Sequence, residues 1–260
     1  MPEQDKLSEK DWYGKGNPWV KWDHFLMKWP FFYLPRHKYA YRFARENARR
    51  IILEHIKTPL QKGLVAPSGI NGDQDILCGT AEEYLGIDIS PEAVKRGSRF
   101  IKCQEADILK NGFEDSSFDI VASFLFFHHL HKTGFKPFLK EFRRILKKDG
   151  YLLILDPSAH YPVSKLMDLG RKIFGNISGL VPDEAPVVTD KLAAEIRGAG
   201  FKIERFQALT YSHNRIPIPI QYLINKTTAP FQKIAPFNKM GWLCLWICSK
   251  DLLEPVDKPF

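Results

Sequence analysis

The sequence predicts an α/β domain built on a mostly parallel sheet with flanking helices. Three observations point there. Short apolar runs alternate with helical stretches between 100 and 158; the acids Asp88 and Asp107 follow Gly69 at successive intervals of 19 residues; and 44% of the 260 residues are hydrophobic, enough for a sizeable core.

The elements can be taken in order. Residues 63–67 read as a short apolar strand that runs into a turn of small residues. Residues 84–89, 100–105, 118–124 and 151–156 are four more strands, apolar on both faces as buried parallel strands are. Ser90, Pro91 and Glu92 supply a capping hydroxyl, a proline at the first helical position and an early acid, so a helix is expected to run to about Gly97. Residues 135–146 put Phe138, Phe142, Ile145 and Leu146 on one helical face, with Lys147, Lys148 and Gly150 closing it. Thr189 and Asp190 are expected to cap another helix, ending near Gly198. Two late strands, 201–206 and 242–248, are expected to pair antiparallel at the sheet's edge. The stretches 157–188 and 209–240 hold Pro182, Pro186, Pro217, Pro219, Pro230 and Pro236, a density that predicts stiff loops without regular structure.

The loop Ala66, Pro67, Ser68, Gly69, Ile70, Asn71 lets backbone approach a ligand closely ahead of a helical segment. An acid about 20 residues beyond such a turn, at the end of the second strand, is placed to accept hydrogen bonds from ribose hydroxyls. Asp88 holds that position. With Gly86 to Ala93, Ala106-Asp107-Ile108, the strand from Phe118 to Ser123 followed by Phe127-His128-His129-Leu130, and Leu146 to Ile154, the chain resembles the class I S-adenosylmethionine-dependent methyltransferase family over about 63–158. The resemblance implies a Rossmann-like methyltransferase fold with a seven-stranded sheet and S-adenosyl-L-methionine as cofactor. It also implies a cofactor site of Pro67, Ser68, Gly69, Asn71, Asp88, Ile89, Asp107, Ile108, Ser123 and Phe124, with Asp107 meeting the adenine amino group. The first loop departs from the family pattern, because Ala66 stands where an acid is usual and Asn71 where a glycine is usual.

Methyl transfer from a sulfonium is an in-line displacement whose leaving group needs no proton, so a base is required only for a protonated acceptor. His128 and His129, just after the fourth strand, are the candidates for that base; the alternative is that they pack or hydrogen-bond at the strand's end. The loops at 157–188 and 209–240 are expected to roof the acceptor site, where Asp183 and Glu184 bind an amine or face solvent. A small-molecule or lipid-like acceptor is the leading expectation. Alternatives are a non-catalytic nucleotide-binding or membrane-associated scaffold and, less well supported because the loop is not G-x-G-x-x-G, a nicotinamide-dependent oxidoreductase.

The flanks carry the positive charge: residues 1–62 hold 13 Lys and Arg against 7 Asp and Glu, whereas 63–159 hold 12 against 14. Between Trp12 and Phe43 stand 12 aromatic residues, four of them tryptophans, mixed with lysine and arginine. Residues 1–62 are therefore read as an N-terminal extension to a domain at 63–260, acting as a lid on the core or as a peripheral membrane contact. No recognisable nucleic-acid reader motif occurs, so nucleic acid is not an expected partner. The four cysteines lack the spacing of a zinc site, and no metal is predicted. No stretch reaches the roughly 18 to 20 apolar residues of a spanning helix, and the first residues are charged, so a cytoplasmic protein, peripheral to the membrane if anything, is expected.

Overall fold

The computed structural model describes residues 39–56, 60–69, 73–164, 184–214 and 216–250. Its elements run α1 (Tyr39–His55), β1 (Leu60–Val65), β2 (Ala81–Asp88), α2 (Pro91–Gly97), β3 (Lys102–Glu105), β4 (Phe118–Phe124), α3 (Lys136–Ile145), β5 (Leu146–Pro157), α4 (Thr189–Gly198), β6 (Phe201–Thr210), α5 (Ile218–Thr228) and β7 (Leu243–Lys250). The seven strands form one sheet in the order β3-β2-β1-β4-β5-β7-β6, parallel throughout except for β7, which runs against both its neighbours. The expected α/β architecture and the antiparallel late pair are both present. Among the described residues no helix is long and apolar enough to cross a membrane.

The alternation of side chains along each strand builds a core on each face of the sheet. Leu64, Val121, Leu152, Ile154 and Trp246 face one side, under Phe138, Phe142 and Ile145 of α3 and Leu192 and Ile196 of α4. Val65, Ile120, Ala122, Leu153, Leu155 and Leu245 face the other, under Ala44, Ala48, Ile51 and Ile52 of α1. Helix α1 was not expected from the sequence. Its buried positions recur at three- and four-residue spacing, but alanines supply many of them and arginines and glutamates surround them.

Several boundaries differ from expectation, each for a local reason. Ser90 caps α2 through its hydroxyl, which accepts from the amide of Ala93 at 3.4 Å, with Pro91 opening the helix as expected. Thr189 does not cap α4. The cap position falls on Val188, because Val187 is tied to the end of β5 by its amide, 2.8 Å from the oxygen of Pro157, and Thr189 becomes the first helical residue. Leu146 belongs to β5 rather than α3 and pairs with Phe118 before a bulge resets the register at Ile120 and Tyr151. The proline-rich stretch at 209–240 is not devoid of regular structure: Pro217 caps α5 and Pro219 lies in its first turn, where an amide has no partner to lose. Residues 12–38, on which the choice between lid and membrane contact turns, lie outside the described residues, as do Ile70, Asn71 and Asp183.

Candidate active site

Every parallel strand ends at the same edge of the sheet, and the residues with chemistry gather there. The loop after β1 is pinned from two sides. The amide of Ala66 donates to the oxygen of Ala122 on β4 at 2.9 Å, and that of Ser68 donates to the oxygen of Ile87 on β2 at 2.8 Å. Gln74, almost wholly buried, donates from Nε2 to the oxygen of Ser68 at 2.5 Å. Close approach of this loop depends on Gly86, since a Cβ there would lie 2.5 Å from Sγ of Cys103 and 3.0 Å from Cβ of Ser68. The loop then turns through Gly69, whose φ of +60° is left-handed, with no described residue beyond its chain neighbours within 4 Å of where its Cβ would stand. Of the loop residues proposed from sequence that are described, Pro67 is half-buried, Ser68 is buried, and Gly69 is half-buried.

Asp88, at the end of β2, organises this half of the edge. One carboxylate oxygen accepts from the amide of Gly69 and the other from the amide of Ser90, each at 2.9 Å. Burial pushes its carboxyl above the usual range, and these backbone hydrogen bonds pull the other way. Each oxygen retains a second acceptor position for a ligand hydroxyl. Asp107 follows β3, which is tied alongside by the amide of Ala106 donating to the oxygen of Asp88 at 3.0 Å. One oxygen of Asp107 caps the short 3₁₀ turn Ile108–Lys110 by accepting from Leu109, and the carboxylate remains partly open. Ile89 is exposed beside Asp88, whereas the side chains of Ile108 and Phe124 pack into the two cores and can reach a ligand only through their backbones. Ser123 is fully buried, and its hydroxyl has no partner among the described residues.

The other half of the edge lies at the ends of β4 and β5. Leu125, a non-glycine residue at φ +53°, swings the chain off β4 into the 3₁₀ turn Phe127–His129. That turn is seated on Asp156, which is 0% exposed. One oxygen of Asp156 accepts from the amide of Phe127 at 3.1 Å and, more weakly, from that of Phe126 at 3.4 Å. The other accepts from the His128 amide at 3.1 Å and lies 2.7 Å from Nδ1 of the same residue. A carboxylate is an acceptor, so Nδ1 of His128 carries the proton of this hydrogen bond. Asp156 was read from sequence only as the last residue of a strand.

The neighbouring imidazole is different in kind. His129 stacks beside His128 with ring centroids 4.1 Å apart and lies 3.7 Å from Glu184. Burial, and then the nearby His128 and His131, lower its pKa to about 3, so it holds no proton near neutrality and is too weak a base to take one. The structure thus separates the two histidines that the sequence offered together. The ligand atoms of His128, His129 and Glu184 lie within 4.8 Å of one another, a grouping that could hold a metal ion. Tetrahedral bonds of roughly 2.0–2.1 Å would set ligands about 3.3 Å apart, tighter than the 3.7 Å between His129 and Glu184, so proton handling fits this geometry better.

Residues 69–154 match the model of the methyltransferase domain family. Solved structures of the same fold include an S-adenosylmethionine-dependent methyltransferase from Thermotoga maritima, described as a possible histamine N-methyltransferase. It is 15% identical, has a TM-score of 0.58, and the match covers 84% of this chain and 95% of that one. Another, an S-adenosylmethionine-dependent methyltransferase from Archaeoglobus fulgidus, is 16% identical with a TM-score of 0.53, covering 79% and 94%. The search of curated proteins finds no match. Residues 69–154 thus match a methyltransferase domain, which implies S-adenosyl-L-methionine as cofactor, and the solved structures share the Rossmann-like methyltransferase fold. The nicotinamide-dependent alternative gains no support. The residues present fit the cofactor, through the left-handed turn at Gly69 and the carboxylate of Asp88 bonded to its amide.

Proposed function

We propose that the protein methylates a protonated group, a hydroxyl or an ammonium, on a small-molecule or lipid-like acceptor, with His128 as general base. The observation that carries this reading is the His128–Asp156 pair at 2.7 Å, at the same sheet edge as Asp88. The cofactor supplies an electrophilic methyl group on a sulfonium. Asp88 and the Gly69 backbone would hold its ribose end, and Asp107 its adenine. Nε2 of His128 would take the acceptor's proton, before attack for an ammonium and during it for a hydroxyl; the acceptor's lone pair then bonds the methyl carbon as the C–S pair leaves on sulfur, which yields a neutral thioether, and Asp156 stabilises the imidazolium. Asp156 touches neither reactant and is a positioning residue.

The stretches after β5 and between β6 and β7 leave from and return to this edge, and they support the acceptor chamber. The hydroxyl of Ser158 donates to the oxygen of Lys239 at 2.5 Å, and the amide of Ser158 donates to the oxygen of Trp242 at 3.1 Å, which ties the two together. The N-terminal extension would contribute a membrane contact where the acceptor is a lipid. The test is transfer from labelled cofactor into a cell extract separated into lipid, small-molecule, protein and RNA fractions. Label in the lipid or small-molecule fraction, lost with His128→Ala, supports the reading. Label in protein or RNA alone overturns the acceptor class, and cofactor binding without transfer into any fraction favours a non-catalytic scaffold.

A further inference from the structure

The segment between β6 and β7 reverses the usual order of a surface helix. Helix α5 buries Gln221 and Asn225, one turn apart, and turns Ile220, Tyr222 and Leu223 outward. The buried amides lock that rotation. Oε1 of Gln221 accepts from the amide of Ala40 at 2.8 Å, and Oδ1 of Asn225 accepts from the hydroxyls of Thr210 at 2.7 Å and Ser212 at 3.1 Å. In the turn that follows, Gln232 is buried against the oxygen of Leu209 and the amide of Asn47, at 3.1 Å each. Rolling the helix to hide its apolar face would break these bonds and bury unpaired polar groups.

Tyr222 and Leu223 are 55% and 59% exposed, and Phe231, Ile234 and Phe237 are exposed just beyond, with the rings of Phe231 and Phe237 5.4 Å apart. Soluble surfaces rarely gather large apolar groups so densely without something to cover them. The segment itself carries one sign of charge: residues 211–242 contain Arg215, Lys226, Lys233 and Lys239 and no Asp or Glu, with Lys239 paired to Asp190 at 2.8 Å. Lys226 stands on the outward side of α5 and Lys233 is exposed in the next turn. Aromatic and aliphatic groups interspersed with lysine suit the interfacial zone of a lipid bilayer with anionic headgroups. Ala40, which follows the aromatic, basic stretch in the sequence, is bonded to α5 beside this face.

We propose that the outward face of α5 and the turns after it docks on an anionic lipid surface. β6 ends and β7 begins at the edge where Asp88 and His128 stand, so docking turns the mouth of the active site toward the headgroups. The consequence that the acceptor belongs to the membrane rests on the methyltransferase reading; the docking itself does not.

Flotation of the full chain with vesicles tests it, using phosphatidylcholine alone and phosphatidylcholine with phosphatidylglycerol. The wild-type protein should float with the anionic vesicles and much less with the neutral ones. The pairs Tyr222→Ser with Leu223→Ser, and Lys226→Glu with Lys233→Glu, should each lower anionic-vesicle binding about tenfold or more with an unchanged melting temperature. Asp88→Ala should float as wild type, so failure of the cofactor reading would be seen separately. The proposal is overturned if the wild type stays in solution with both vesicles, or if the paired variants float as well as it does. It is also overturned if light scattering shows a wild-type dimer that the Tyr222 and Leu223 pair converts to monomer, or if that pair lowers the melting temperature without changing flotation, as a face covered by the chain itself would require.

Discussion

Two buried carboxylates at one sheet edge, Asp88 after β2 and Asp156 closing β5, do similar work on the backbone and different work in chemistry. Asp88 accepts from two amides, one on each oxygen, and keeps acceptor positions for a ligand. Asp156 accepts from three amides and an imidazole and is fully enclosed, so under the proposed mechanism it would act on the reaction only through His128. An acid that recognises a ligand must stay partly open. An acid that orients a base works best closed off, where nothing competes for the imidazole and its charge is least screened.

The largest effect should follow from breaking the enclosed site. Asp156→Ala leaves three amides and Nδ1 of His128 without their acceptor, and should cost about 3 kcal/mol or more of stability by denaturant unfolding. Asp156→Asn keeps the shape, and should lower kcat by about 10²–10⁴ while shifting the pH profile of transfer, a readout that a purely structural role would not move. His128→Ala should lower kcat over the same range of about 10²–10⁴ with binding of S-adenosylhomocysteine unchanged, which separates base from cofactor site. Breaking the open site acts on binding instead. Asp88→Ala, losing charge-assisted hydrogen bonds worth about 1.5–3 kcal/mol each, should weaken cofactor binding about tenfold to a hundredfold or more by calorimetry.

A smaller effect sharpens the contrast between the two histidines. His129 is neutral in the folded protein down to about pH 3, whereas its ordinary pKa is 6.5, so the unfolded chain binds the extra proton first. Stability should therefore be fully present above about pH 6.5 and fall as pH drops toward 3, by up to about 1.4 kcal/mol per unit. His129→Gln should flatten that slope with little change in kcat at neutral pH. An equal slope in the variant would show that His129 is protonated in the fold.

The same two acids show what the sequence could and could not disclose. The place of Asp88 at the end of β2 was legible because it lies in local order: a turn, a strand's length, an acid and then Ser90 and Pro91. Asp156 was not, because its partners stand 28 to 30 residues earlier and meet it only when β4 and β5 lie side by side. Strand β4 has the bounds the sequence predicted, since both its faces are buried and the apolar run has sharp ends. Helix α1 was hidden by alanines among arginines. Helix α5 was hidden by prolines that fit its opening turn, and by an inverted face whose buried residues are amides. No local pattern separated His128 from His129, because burial and the reach of Asp156 decide between them.

The most direct measurement of the central claim is calorimetric titration of S-adenosylhomocysteine into the wild-type chain and into Asp88→Ala. The account predicts one site per wild-type chain and its loss, or a weakening of at least about tenfold, in the variant. No binding to the wild type, or equal binding to both, would contradict it.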